Sequence, residues 1–124
     1  MRPTPSSLSE APTVQLLLTG DELMSGDTVD SNSSLIAREL ADLGLTPSRR
    51  VTLGDSRSQL TDELRQLVLR SDVLIVNGGL GPTSDDLTAE VLAEAAHVTL
   101  TEHPLALEHL EKWCARRRVP LNQA

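Results

Sequence analysis

The sequence predicts an α/β fold in which a parallel sheet is covered by helices on both faces. Three observations carry the prediction: the apolar runs "VQLLL", "RVTL" and "VLIV", the amphipathic stretch that follows each run, and the carboxylate- and glycine-rich loops joining them. Strand and helix alternating in this way is the signature of parallel strands linked by crossovers. Right-handed crossovers then fix the layering. At 124 residues the chain is the size of one domain, since about 100–200 residues per domain is usual.

The first element is "VQLLL", Val14 to Leu18, whose unbroken apolarity suits a strand buried on both faces. "TGDELMSGDTVDSN" reads as a long polar loop. A helix follows through "SSLIARELADLGL", with Ile36, Leu40 and Leu43 on its inner face and Gly44 as its stop. "RVTLGD" is a short strand ending at Gly54 and Asp55. Ser56 and Gln59 match an S-x-x-Q capping box, and Leu60, Leu64 and Leu67 line the helix it opens. "DVLIVNGG" is a third strand, apolar at every position from Val73 to Val76, which implies neighbours on both edges. Thr83 and Asp86 fit a second capping box before a helix lined by Leu87, Val91 and Ala95. "HVTL" is either a short strand or a connector. Pro104 suits a first helical turn, and Leu107, Leu110, Trp113 and Cys114 form the buried stripe of a last helix running into "ARRR".

Composition narrows the function classes. With no Phe, no Tyr and only Trp113 among the large aromatics, the core is built from Leu, Val, Ile and Ala. A net charge of −7 disfavours nucleic acid, which is held by a basic surface that displaces counterions, and equally an anionic membrane. The single cysteine, Cys114, makes no internal disulfide and fits a reducing, cytoplasmic compartment; its helical spacing marks it as a packed apolar group. "MRPTPSSLSEAPT" has no apolar signal segment and reads as a disordered tail over residues 1–13, leaving 14–124 as the domain.

In parallel sheets of this kind ligands bind beyond the carboxyl ends of the strands. Those ends are "TGDE", "LGDS" and "NGGLGPTSDD". Gly78, Gly79 and Gly81 leave backbone N–H groups unobstructed, and the helix opening near Thr83 adds its positive end, so the loop is either an anion site made from backbone or a tight turn whose glycines serve geometry alone. It is not a P-loop, which needs GxxxxGK[ST], nor the dinucleotide fingerprint, which follows the first strand. Asp21, Glu22, Asp27, Asp30, Asp55, Asp85 and Asp86 crowd the same rim. A hard cation such as Mg²⁺, bound by one or two carboxylates and by ligand phosphates, would neutralise them; helix capping and solvation are the alternative for most, Asp85 and Asp27 included. His97, His103 and His109 show no paired metal spacing and suit surface or capping roles.

Taken together, "TGDELMSGDTVDSN", "VTLGD" and above all "GGLGPTSDDLTAE" resemble the loops of the CinA family, the competence/damage-inducible group within the molybdopterin-binding superfamily. The resemblance runs from about Val14 to the end. It implies a three-layer α/β/α fold with a mostly parallel sheet and a nucleotide or pterin phosphate in the loop site. It implies metal-dependent hydrolysis of a pyrophosphate such as that of ADP-ribose, with Mg²⁺ or Co²⁺, and as an alternative adenylylation of molybdopterin. By motif matching the catalytic carboxylates fall on Asp55 and Asp86, which with Asp85 form the metal set. Gly78, Gly79, Gly81, Pro82 and Thr83 would hold phosphate, and Asp21, Glu22, Asp30 and Asn32 would shape the neighbouring pocket. Family members continue through further strands, including a proline/glycine loop with no counterpart here, so the expectation is a fragment, or a shortened homologue that completes its sheet as a homo-oligomer or serves only in binding.

Overall fold

The computed structural model describes residues 11–121. Most of the 1–13 tail and the last three residues of "LNQA" lie outside them. Three parallel strands, β1 (Val14–Thr19), β2 (Arg49–Leu53) and β3 (Val73–Asn77), form a sheet in the order β2-β1-β3. Leu17 of β1 pairs with Val51 on one side and Val76 on the other, so β1 is the central strand and every residue of it is buried. The expected burial of β3 on both edges is not met. Among the described residues β3 pairs only with β1, and Val73 is exposed.

The alternation of side chains along β1 separates two apolar layers. Leu17 faces α3 (Arg57–Arg70) and α4 (Thr88–Ala95), packing with Leu60, Leu64, Leu67 and Val91. Val14, Leu16 and Leu18 face the other way, against Leu23, Ile36, Leu40, Leu45 and Ile75. This second layer belongs to α1 (Asp21–Ser25) and α2 (Asn32–Asp42). The result is the expected three-layer α/β/α arrangement. Because the chain passes from β1 to β2 on one side and then returns across β1 to β3, the sheet has its switch point between β1 and β3.

Several local expectations change. Residues Asp21–Ser25 are a short helix rather than loop; only Leu23 of it reaches the core, too little apolarity for a periodic signal. Leu43 is exposed, and Leu45 takes its place in the core. The cause is the end of α2: Gly44 is left-handed (φ 76°), its N–H bonds to Ala41 O, and the Leu45 N–H bonds back to Leu40 O, so the chain reverses and brings Leu45 onto Leu40. Ser56 caps α3 as expected, accepting from the Gln59 amide. "HVTL" is a connector. The last helix, α5 (Pro104–Arg117), buries only Cys114 of its expected stripe, while Leu110 and Trp113 remain exposed and the Arg117 guanidinium lies 4.2 Å over the Trp113 ring. His103 caps this helix through Nδ1, which accepts from the Ala106 amide.

Candidate functional site

The loops after β1, β2 and β3 meet at the switch point. β1 ends in Thr19, a polar residue at the close of an apolar strand and itself buried. Its hydroxyl donates to Asp55 Oδ1 at 3.2 Å. Asp55 and Asp21 then hold each other's backbone: the Asp21 amide donates to Asp55 Oδ2 at 3.2 Å, and the Asp55 amide to Asp21 Oδ1 at 2.8 Å. The Gly20 amide donates to Leu53 O at 3.0 Å, so the ends of β1 and β2 are stitched by both backbone and carboxylate. Glu22 lies against Gly20.

The turn after β3 presses onto the same strand end. Gly78 and Gly79 both have positive φ, 105° and 65°, where L side chains are strained. A Cβ on Gly78 would collide with the Thr19 carbonyl oxygen, and one on Gly79 with the Thr88 hydroxyl. These two glycines are needed both for conformation and for room. Beyond them the loop folds around a carboxylate. Thr83 gives Asp86 Oδ2 two hydrogen bonds, from its hydroxyl at 2.7 Å and its amide at 3.0 Å. Those bonds, with one from the Gly81 amide, hold the Asp86 carboxyl below the ordinary carboxylate value.

That geometry corrects the second capping box. α4 begins at Thr88 with Leu87 as its N-cap, and the Thr83–Asp86 pair closes a turn ahead of the helix. The Asp86 carboxylate does reach back to the Thr83 amide, as a capping box requires, but the Thr83 hydroxyl donates to that carboxylate instead of accepting from the Asp86 amide. The 3.6-residue periodicity of Leu87, Val91 and Ala95 places the helix but not its first residue.

The remaining predicted residues spread over the rim. Asp30 sits before α2, where its carboxylate accepts from the Ser33 amide at 3.0 Å and from the Ser33 hydroxyl. Burial pushes the Asp30 carboxyl up, but the Ser33 bonds and the nearby Arg50 guanidinium outweigh it and hold the group below its usual value. Arg50 Nη1 donates to the same Ser33 hydroxyl at 3.2 Å. Asn32, in the first turn of α2, donates through Nδ2 to Asn77 Oδ1 at 3.1 Å, joining the α2 side of the crevice to the end of β3. Pro82 and Asp85 are exposed. Thr19, Ser33, Arg50, Asn77 and Thr88 were not singled out from sequence. Their signal was position: Thr19 and Asn77 are the polar residues that end apolar strands, and Thr88 lies inside "GGLGPTSDDLTAE".

No cluster of three or more His, Cys, Asp or Glu residues is assembled for a metal among the described residues. The donors fit a more limited role. Asp55 lies in the loop after β2 and Asp86 in the loop after β3, with β1 between those two strands, and outer strands of such a sheet are about 10 Å apart. Asp55 covers part of that span by reaching over to Thr19. A Mg²⁺-type cation held by one or two carboxylates and completed by ligand phosphate oxygens suits this set; a cage made of protein alone does not.

Against known proteins, residues 15–119 match the model of a probable molybdopterin binding domain. The chain belongs to that domain family. Its sequence is similar to CinA-like proteins: 54% identical over 112 residues to that of Colwellia psychrerythraea, covering 90% of the chain and 26% of the relative, and 44% identical over 109 residues to that of Myxococcus xanthus, covering 88% and 26%. The chain therefore spans about a quarter of the length of these curated relatives. Among solved structures it is similar to CinA of Thermoplasma acidophilum, a protein of unknown function, with a TM-score of 0.78 at 28% identity over 85% of this chain and 62% of that one. The molybdopterin biosynthesis enzyme MoaB of Thermus thermophilus shares the fold, with a TM-score of 0.64 at 24% identity over 68% and 54%.

Proposed function

We propose that the domain holds the phosphates of a nucleotide or pterin at the β1/β3 switch point and, with a divalent cation, hydrolyses a pyrophosphate bond such as that of ADP-ribose. The observation that carries the reading is the convergence at Thr19: the glycine turn after β3 lies on its carbonyl while Asp55, tied to Asp21, lies on its hydroxyl. Backbone N–H donors and carboxylates thereby share one crevice at the carboxyl ends of the strands, where phosphate ligands bind in open α/β sheets.

The residue roles follow from this placement. The Gly78–Thr83 loop binds phosphate through backbone donors, with Pro82 stiffening it. Asp55 and Asp86, with Asp85 next to Asp86 in the chain, would hold the cation through its ligand-completed shell. Asp21 and Glu22, with Asp30 and Asn32, shape the side of the pocket facing the base or pterin. When bound, Mg²⁺ or Co²⁺ would polarise the phosphoanhydride and lower the pKa of water. One water is consumed; ADP-ribose yields AMP and ribose 5-phosphate, and the P–O–P bridge is the bond broken. The family's link to molybdopterin supports a second reading, adenylylation of a pterin phosphate, in which the same loops hold ATP, the pterin phosphate oxygen bonds to the α-phosphorus, and the α–β bridge breaks to release pyrophosphate. Both readings take the chain as a cytoplasmic protein that binds neither nucleic acid nor membrane; among the described residues no helix is long and apolar enough to span a membrane. The outer edge of β3, unpaired among the described residues, would offer a second copy a place to pair.

The test measures AMP formed from ADP-ribose by the purified chain with Mg²⁺ or Co²⁺, and in EDTA. Turnover that needs the metal and is lost in Asp86→Asn supports hydrolysis. ATP consumption only when pterin is added favours adenylylation. Binding without either turnover leaves a binding module, and turnover indifferent to EDTA refutes the metal role.

A further inference from the structure

The glycine turn has two groups of backbone donors, and the structure uses them differently. The Gly81 and Thr83 amides are already directed at the Asp86 carboxylate. The Gly79 and Leu80 amides donate to no group among the described residues. Their direction is set by one buried side chain. Thr88, only 2% exposed, donates its hydroxyl to Gly78 O at 2.6 Å and its amide to Gly79 O at 3.2 Å. In a trans peptide the C=O of one residue and the N–H of the next point in opposite directions. With both carbonyls drawn onto Thr88, the N–H groups of Gly79 and Leu80 leave the turn on the side away from it. Two successive N–H groups presented together form an anion-binding concavity.

We infer that Thr88 is the positioning residue of the phosphate site: its hydroxyl and amide turn the Gly79 and Leu80 amides outward, and these two amides meet the ligand's phosphate. This rests on the proposed phosphate-binding role. It also separates two tasks within one loop. Gly79 and Leu80 supply the free donors, while Gly81 and Thr83 hold Asp86 in place. The tight fit explains why Gly79 has no room for a Cβ: the Thr88 hydroxyl occupies that space.

The experiment is a titration of the ¹⁵N-labelled chain with inorganic pyrophosphate, without metal, for the wild type, Thr88→Val and Thr88→Ser. In the wild type the Gly79 and Leu80 amide signals are expected to move and those of Gly81 and Thr83 to stay. Thr88→Val keeps the side-chain shape but loses the hydroxyl, and its pyrophosphate affinity should fall about tenfold, the equivalent of one positioned hydrogen bond. Its Gly79 and Leu80 signals should already be displaced before ligand is added, while signals from Leu17 and Leu64 remain in place. Thr88→Ser, which keeps the donor, should bind within about twofold of the wild type. Wild-type affinity in Thr88→Val overturns the role of Thr88 alone. A wild type in which pyrophosphate moves Gly81 and Thr83 instead overturns it without recourse to any variant. A wild type that binds no pyrophosphate overturns the phosphate reading itself.

Discussion

Gly78→Ala tests the central contact of the site. The residue has φ 105°, and a Cβ there would strike the Thr19 carbonyl, which belongs to the buried central strand and cannot swing aside. Holding a non-glycine residue in such a conformation costs about 1–3 kcal/mol, and forcing an extra methyl into a packed site costs about 1–3 kcal/mol more. The expected loss is therefore about 2–6 kcal/mol, and at about 4–8 °C per kcal/mol for a domain near this size the melting midpoint should fall by about 10 °C or more. Gly81→Ala is the control from the same loop. Gly81 has no positive φ, and its added Cβ would meet the Asp86 carboxylate at 2.7 Å, a side-chain end outside the core that can shift by giving up its Thr83 hydrogen bonds, so its midpoint should shift less than that of Gly78→Ala. Thermal unfolding followed by far-UV circular dichroism reads both. A Gly78→Ala midpoint within 2 °C of the wild type, an order-of-magnitude threshold well inside the loss expected for a substitution of this kind, would refute the close approach of the turn to β1.

Leu64→Ala removes a fully buried side chain from the layer between β1, α3 and α4 and should cost about 2–5 kcal/mol in urea unfolding; a loss below about 1 kcal/mol would show that α3 does not pack there. Thr19→Val keeps the shape of a buried residue but removes the bond to Asp55, so metal-dependent turnover should fall while Thr19→Ser retains it, and equal rates in both would detach Thr19 from the site. Asp30 and Asp86 both have lowered carboxyl pKa values. The native state binds protons less readily than the unfolded chain, so their contribution is complete above the ordinary Asp value of about 4 and is lost as pH falls through the lowered native values. Urea midpoints of the wild type and Asp30→Asn should differ at pH 7 and converge in acid; a gap that stays constant with pH would contradict the Ser33 and Arg50 contacts.

The sheet was legible because burial on two faces leaves a plain mark: β1, with neighbours on both sides, is apolar without alternation. The same rule misled at β3, whose apolar residues face the two helix layers although among the described residues only one edge is paired. Apolarity reports the faces of a strand and says nothing of its edges. At α5 the periodic stripe was read correctly as helical, but periodicity cannot tell whether a face is buried, and Trp113 stays exposed beneath the Arg117 guanidinium. Leu43 and Leu45 exchanged places because a left-handed glycine redirects the chain within two residues. At the site, glycines and carboxylates stood out by composition, whereas Thr19 and Thr88 are ordinary residues made important by which carbonyl or carboxylate lies opposite them. Opposition of that kind is a product of the fold.

The most direct test of the account is isothermal titration of the purified chain with ADP-ribose, with and without Mg²⁺, alongside measurement of AMP formed. Saturable binding in both conditions, with AMP appearing only with metal and not in Asp86→Asn, is the result predicted. No heat of binding in either condition, for the wild-type chain shown to be folded, would contradict it.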